Sequence, residues 1–359
     1  MSPLHTLHQR LATAGPRGLP ERLLYLLLCA GAALYRSLVC CRLVAYRAGV
    51  LRVFRSRLPV VSVGNLAVGG TGKTPMVDLL LRWAASHAVR VAVVSRGYGG
   101  APGTAALLVS DGRQLLVRDA ARCGDEPLLL ARRNPAALVI VARRRALGVQ
   151  LAERLDAQLV ILDDGFQHLA VFRDLDIVLL DSARPFGNGR LLPAGILREP
   201  PGNLARADIV VLTRNDHGEA PALRFSGPVL RAKHHLADEV VGLDGTTCRL
   251  AELAGRPCAV FAGIAQPSAF FQALRERGVT PVAEIALADH QRYQAATFAQ
   301  LAAASRNAEF FLTTEKDAVK FTAEQLPLPC YRVPLNIAVE PLAPLMEKLS
   351  NLLTKETAS

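Results

Sequence analysis

Leu58–Pro75 reads LPVVSVGNLAVGGTGKTP, an apolar strand that runs into a glycine-rich turn and ends in Lys73 and Thr74. That is the layout of a phosphate-binding loop. Gly69, Gly70 and Gly72 let backbone N–H groups converge on phosphate oxygens, and a helix starting near Gly72 aims its positive end at the same point. Val68, Gly69, Gly70, Thr71, Gly72, Lys73 and Thr74 are therefore the expected nucleotide-binding residues. Lys73 would reach the β- and γ-phosphates and the Thr74 hydroxyl would ligate Mg²⁺. The strict pattern asks for glycine six residues before the lysine, where this chain has Ala67.

Beyond the loop, short apolar runs alternate with helical patterns: VRVAVVS (89–95), ALVIVA (137–142), AQLVILDD (157–164), LDIVLLD (175–181) and ADIVVLT (207–213). Continuous apolar runs of this kind belong to strands buried on both faces, so the reading is an α/β fold, a P-loop NTPase-type, mostly parallel sheet flanked by helices. GEAPALRFSG (218–227) is polar and turn-rich, and βα alternation restarts after it with CAVFAGI, SAFFQALRERG, VTPVAEIAL, EFFLTT and CYRVPL. The expected organisation is a basic N-terminal segment over 1–57, a P-loop domain over 58–225 and a smaller α/β domain over 226–359 that closes over the site.

The chain has 359 residues, 51% of them hydrophobic, and a net charge of +11, which suits anionic partners such as phosphates or acidic lipid. Much of that charge is local. Up to Arg57 there are nine arginines against the single acid Glu21. Within this stretch Leu23 to Tyr35 is an uncharged apolar run of thirteen residues, interrupted by Arg36. That is short of the ~18–20 residues a spanning helix needs, and the flanking arginines fit a helix lying in a membrane interface. A buried core helix is the alternative. The seven cysteines are scattered and never spaced as CxxC, which argues against a disulfide framework or a zinc site.

LVILDDGFQH (159–168) sets Asp163 and Asp164 at the end of an apolar strand, where a P-loop enzyme needs carboxylates for Mg²⁺; two acids ending a strand before a turn are the plain alternative. GDEP (124–127) opens a helix with Asp125 and Glu126, which read equally as a cap or as a base. His290 in ADHQRY (288–293) has the same two readings, structural or catalytic. PFGNGRLLPAGILREPPG (185–202), with Asn188, Arg190, Arg198 and Glu199, is longer than loops usually run without a function. SRGYGG (95–100) offers Arg96 in a similar anion-facing turn, RRR (143–145) reads as a solvated helix start, and TTEKDAVK (313–320) as a capped one.

As an ordered series, VSVGNLAVGGTGKTP, VVSRGYGG, GDEP, ILDDGFQH, PFGNGRLLPAGILREP, ADHQRY and TTEKDAVK resemble the tetraacyldisaccharide 4′-kinase family, the lipid A 4′-kinases, over nearly the whole chain. The resemblance implies transfer of the ATP γ-phosphate to the 4′-hydroxyl of a tetraacyldisaccharide 1-phosphate, at the cytoplasmic face of a Gram-negative inner membrane. It further implies Asp125 as base, His290 as its partner across the cleft, and Lys73 as the third catalytic residue. Asp163 or Asp164, together with Glu199, would complete the metal environment around Thr74, and Arg96, His168, Asn188 and Arg198 would meet the acceptor. The implied cofactors are ATP and Mg²⁺. The implied partners are the glycolipid and an anionic membrane surface, with no nucleic acid, and a monomer is expected.

Two other readings compete. Membrane-cycling P-loop ATPases carry a signature lysine five residues before the P-loop lysine, and this chain has Val68 there. A soluble kinase or ligase for a polar metabolite has no obvious use for the apolar, basic N-terminus or the long loop.

Overall fold

The computed structural model describes residues 10–12, 15–101, 103–214 and 221–356. Among the described residues fifteen strands form two sheets, of nine and six strands. The larger sheet contains β1 (Val60–Asn65), β2 (Val91–Ser95), β3 (Leu107–Asp111), β4 (Leu138–Val141), β5 (Leu159–Asp163), β6 (Leu175–Asp181), β7 (Ile209–Thr213), β8 (Val229–Leu236) and β15 (Leu335–Glu340), in the order β15-β8-β7-β6-β1-β5-β2-β4-β3. From β8 to β4 every pairing is parallel, and an antiparallel strand closes each edge. The parallel strands are the apolar runs of the sequence: β1, β2, β4, β5 and β7 are buried at every position, with helices covering both faces. In such a sheet ligands gather beyond the carboxyl ends of the strands. The P-loop follows β1, Asp164 follows β5, Arg96 follows β2 and Arg214 follows β7.

The smaller sheet runs β10-β9-β14-β13-β11-β12, built from β9 (Glu239–Gly242), β10 (Thr247–Arg249), β11 (Cys258–Ala262), β12 (Pro281–Ala286), β13 (Phe310–Thr314) and β14 (Cys330–Val333). It has its own core around Val260, Phe271, Leu274, Phe310 and Leu312.

The boundary expected near residue 225 moves. GEAPALRFSG, of which residues 218–220 lie outside the described ones, leads from β7 to β8 within the same sheet. The chain first leaves that sheet after Leu236, and it returns at Pro334 to form β15 and the helix Ala343–Glu356. Leu230 and Ala232 of β8 and Ile337, Val339, Leu345 and Leu349 from the C-terminal end all bury in the core of the larger sheet. Turn composition marks a break in the chain but not which sheet the next strand joins. CYRVPL, read as one strand, is split at Pro334, which has no N–H to continue a ladder. The two crossing segments are tied by a hydrogen bond from Ala237 N to Pro334 O, 2.9 Å.

Of the N-terminal segment 1–57, residues 1–9 and 13–14 lie outside the described ones. Leu19–Arg47 is one helix of 29 residues, about 43 Å long at 1.5 Å per residue. Only Ala32 and Leu43 are buried in it, while Leu23, Leu26, Leu27, Leu34 and Leu38 are exposed, so the core-helix reading fails. By length and composition the helix could also cross a membrane, because it runs well beyond the thirteen-residue uncharged stretch. One side is docked. Tyr35 Oη donates to Arg198 O (3.1 Å), Arg42 to Gln167 O (3.1 Å), and Tyr25 Oη meets the Asn188 amide (3.2 Å).

Candidate active site

Gly72 sits in the left-handed region (φ 81°) and caps the helix Lys73–Ser86 without a side chain of its own, leaving the first-turn N–H groups open to an anion. A Cβ here would stand 2.3 Å from His234 Nε2, so glycine is required for space as well as for conformation. Asn65, at the end of β1, donates to Thr71 Oγ1 (3.0 Å), and Arg214 donates to Gly70 O while pairing with Asp181 (2.9 Å). The first half of the loop is strapped to the long 185–202 segment: Val68 N donates to Ile196 O and Arg198 N to Leu66 O, both 2.8 Å.

Asp163 and Asp164 face this loop in different states. Asp163 is buried at the end of β5, with Oδ2 accepting from Ser95 Oγ (2.9 Å) and Oδ1 without a hydrogen-bond partner. Burial, reinforced by the charges of Glu126 and Asp164, pushes its carboxyl up to about 6. Asp164 adopts φ 52°, which lets its carboxylate take Arg198 (2.8 Å) and Lys73 (3.6 Å). Burial works to raise it, but Lys73 and Arg198 prevail and hold it below the ordinary range. Asp164 Oδ1 likewise has no hydrogen-bond donor. Two buried carboxylate oxygens without donors, Oδ1 of Asp163 and Oδ1 of Asp164, fit a hard divalent cation. No group of three acidic, histidine or cysteine side chains that could hold a metal ion by itself occurs among the described residues, so phosphate oxygens and water would supply the other ligands.

Arg145 departs from the expected solvated RRR. Arg143 and Arg144 are exposed, but Arg145 is buried and donates to Ala142 O (2.7 Å) and Asp163 O (3.0 Å), pinning the ends of β4 and β5 together.

The helix Asp125–Arg133 starts at Gly124 (φ 92°), whose missing Cβ lets it pack on the backbone of Gly97 and Tyr98 in the SRGYGG turn. Asp125 is not the cap. Its buried carboxylate accepts from His290 Nδ1 (3.0 and 3.1 Å to the two oxygens) and pairs with Lys320 (3.3 Å). Burial would raise its pKa, yet the His290 hydrogen bond and the charges of Lys316 and Lys320 outweigh it and hold the carboxyl at about 2. Lys316 Nζ in turn meets Glu126 (3.1 Å), His290 Nε2 (3.3 Å) and Asp289 (3.6 Å). Thr314 does cap the short helix Glu315–Ala318, as the sequence suggested, but that helix also delivers Lys316 and, just beyond it, Lys320. The site is thus closed from both sheets.

Five further candidates have the following surroundings. Asn188 spends its amide on the loop itself, donating to Ala194 O (2.9 Å) and accepting from Arg190 N (3.1 Å). Glu199 is buried, with Oε2 taken by Arg206 (2.6 Å) and Asn203 (2.8 Å). Arg198 faces Asp164. His168 is half-buried, and burial together with Arg145 lowers its pKa to about 4, leaving a neutral ring at neutral pH. Arg96 is exposed and near enough to act electrostatically on Arg145 and His168. Ser95, Arg145, Arg214, Lys316 and Lys320 were not expected at the site from the sequence, although SRGYGG, RRR and TTEKDAVK hold four of them.

Residues 24–354 match the family model described as tetraacyldisaccharide-1-P 4′-kinase. A protein of Syntrophotalea carbinolica named tetraacyldisaccharide 4′-kinase is 46% identical over 357 residues, spanning 99% of this chain and 100% of that one. A protein of Geobacter sulfurreducens with the same name is 44% identical over 96% of this chain and 98% of its own length. The crystal structure of LpxK from Aquifex aeolicus in complex with ATP superposes with a TM-score of 0.79 at 30% identity, covering 92% of this chain and 99% of that one.

Proposed function

The chain belongs to the tetraacyldisaccharide-1-P 4′-kinase family and is an ATP-dependent kinase of the 4′-hydroxyl of the lipid A precursor, and we propose that Asp125 is its base, with Asp163, Asp164 and Thr74 as its Mg²⁺ site. The observation that carries the residue assignment is the carboxylate of Asp125, held on one side by His290 and Lys320 from the second sheet while the neighbouring Glu126 acts on Asp163 beside the P-loop.

The P-loop amides and Lys73 hold the β- and γ-phosphates, so Lys73 exchanges Asp164 for phosphate oxygens when ATP arrives. Asp163, Asp164 and Thr74 would hold Mg²⁺, which when bound would neutralise phosphate charge. The sugar 4′-oxygen forms its bond to γ-phosphorus as the β–γ bridging P–O bond breaks and ADP departs. The hydroxyl proton passes to Asp125. A carboxylate near 2 is a weak base, which suits a loose transition state in which the nucleophile needs orienting more than early deprotonation. Glu199, committed to Arg206, is left out of the metal set, and Asn188 is read as a brace of the loop rather than an acceptor contact.

The exposed leucines of Leu19–Arg47 and its arginines support an interfacial position on the cytoplasmic face of the inner membrane, where this helix would meet a lipid-borne sugar. The smaller sheet and its helices would turn about the crossings after Leu236 and at Pro334 to shut water out. Transfer from γ-labelled ATP to tetraacyldisaccharide 1-phosphate in micelles tests the assignment. It should be lost in Asp125→Ala and Lys73→Ala, and an Asp125→Ala enzyme with wild-type turnover would remove Asp125 from the mechanism.

A further inference from the structure

The helix that begins with Asp125 ends with Arg133, and its guanidinium is not used by the chemistry above. It lies in a partly buried junction where four separate elements meet. One terminal nitrogen, Nη1, donates to Leu335 O (3.0 Å) and faces Glu315 Oε2 (3.4 Å). The other, Nη2, donates to Asn336 Oδ1 (2.7 Å), and Nε faces Asp78 Oδ1 (3.5 Å). Asp78 belongs to the P-loop helix, Glu315 opens the helix that carries Lys316, and Leu335 and Asn336 begin the strand by which the chain returns from the smaller sheet. Asp78 and Glu315 are both buried, and Asp78 is held further by Asn134 (2.8 Å) and Arg82 (3.1 Å).

We propose that Arg133 is a positioning residue for phosphoryl transfer, registering the returning strand and the Glu315–Lys320 segment against the Asp125 helix so that Lys320 and His290 arrive at the base. This rests on the kinase reading given above. The argument is geometric. Helix Asp125–Arg133 spans nine residues, about 13 Å, with its cross-sheet contacts at its two ends. At one end Asp125 takes Lys320 and His290, and at the other Arg133 takes Glu315 and the strand after Pro334. Glu315 lies five residues from Lys320, so a shift at the Arg133 end is carried to the base. A displacement of about 1 Å in such a constellation can cost on the order of 10²-fold in rate. Arginine suits the place because its planar fork satisfies a carbonyl, an amide oxygen and two carboxylates at fixed angles, which a lysine ammonium does not do.

Steady-state transfer to tetraacyldisaccharide 1-phosphate is measured for wild type, Arg133→Lys, Glu315→Gln, their double variant and Asn336→Ala, with Arg82→Met as a control that touches Asp78 from the other side. The expected result is a kcat about tenfold lower in Arg133→Lys and in Glu315→Gln, KM for ATP within about twofold of wild type, and a double variant no worse than the weaker single one. Asn336→Ala, which leaves both charges in place, should show a smaller loss of the same kind and keeps the test open if Arg133→Lys does not fold. Arg82→Met should transfer at the wild-type rate. Unchanged kcat in Arg133→Lys, fully additive losses, or an equal loss in Arg82→Met overturns the proposal. A wild type that hydrolyses ATP without phosphorylating the acceptor overturns instead the kinase reading on which it rests.

Discussion

Lys316 Nζ lies 3.3 Å from His290 Nε2, and this contact fixes which proton the histidine carries. An ammonium only donates, so Nε2 must present its lone pair, the ring proton sits on Nδ1, and Nδ1 donates to Asp125. His290 therefore orients the carboxylate through its Nδ1–H. An amide N–H placed near the Nδ1 position can do the same.

His290→Asn should accordingly keep more activity than His290→Ala. The alanine variant loses a charge-assisted hydrogen bond to a buried carboxylate, about 1.5–3 kcal/mol or roughly 10- to 100-fold in kcat. Turnover of the two variants at saturating ATP is the check, and equal losses would mean that the ring does more than donate.

The two titrating carboxyls predict opposite pH behaviour. Asp125, depressed to about 2, gives stability that is present above its unfolded value and is lost only as pH falls toward 2, so it sets no limb of a rate profile between pH 5 and 9. Asp163, raised to about 6, binds its proton more tightly folded than unfolded. Its contribution favours the fold below the unfolded value and is lost as pH rises through 6. In metal-free protein, Asp163→Asn should therefore raise the melting temperature more at pH 8 than at pH 4. On the proposal that Asp163 holds Mg²⁺, metal and proton would compete for the same carboxylate, and the Mg²⁺ concentration giving half-maximal rate should increase below about pH 6.

Gly72→Ala should abolish nucleotide binding and lower stability, since its Cβ would meet His234 while φ is 81°. The conformational part costs roughly 1 kcal/mol. Adding His234→Ala removes the clash but not the strain, so the double variant should regain only part of the melting temperature, read by differential scanning calorimetry.

Replacing Leu23, Leu26 and Leu27 by serine removes three exposed apolar side chains from the N-terminal helix without touching its docked side. Co-sedimentation with vesicles containing anionic lipid should fall several-fold, at about 25 cal/mol per Å² of lost apolar contact, while ATP binding stays intact. Undiminished sedimentation would assign membrane attachment to another surface.

The parallel strands were legible because burial on both faces writes itself as an unbroken apolar run, and the P-loop because its glycines answer a backbone requirement. The edge strand β15 was not, since Leu335–Glu340 alternates buried and exposed residues and follows a proline that hides the change of sheet. The same limit applies to the site. Asp125 and His290 stood out only within an ordered series of motifs, because the hydrogen bond between them joins residues 165 positions apart. Arg145 was misread for a related reason. In a run of three arginines nothing local says which one turns inward, and here it is the residue whose fork meets the carbonyls of Ala142 after β4 and Asp163 at the end of β5, two strands that flank β2.

Arg198 touches the N-terminal helix with its carbonyl, through Tyr35, and Asp164 with its guanidinium. A single residue's breadth thus separates the apolar helix from the carboxylate proposed to hold the metal, and the distance between helix and P-loop is fixed by one side chain and its own carbonyl. On the interfacial position proposed for that helix, the phosphate to be transferred would ride at a constant height above it. An acceptor anchored by its acyl chains would then need only to slide sideways in the plane of the membrane to reach the γ-phosphate.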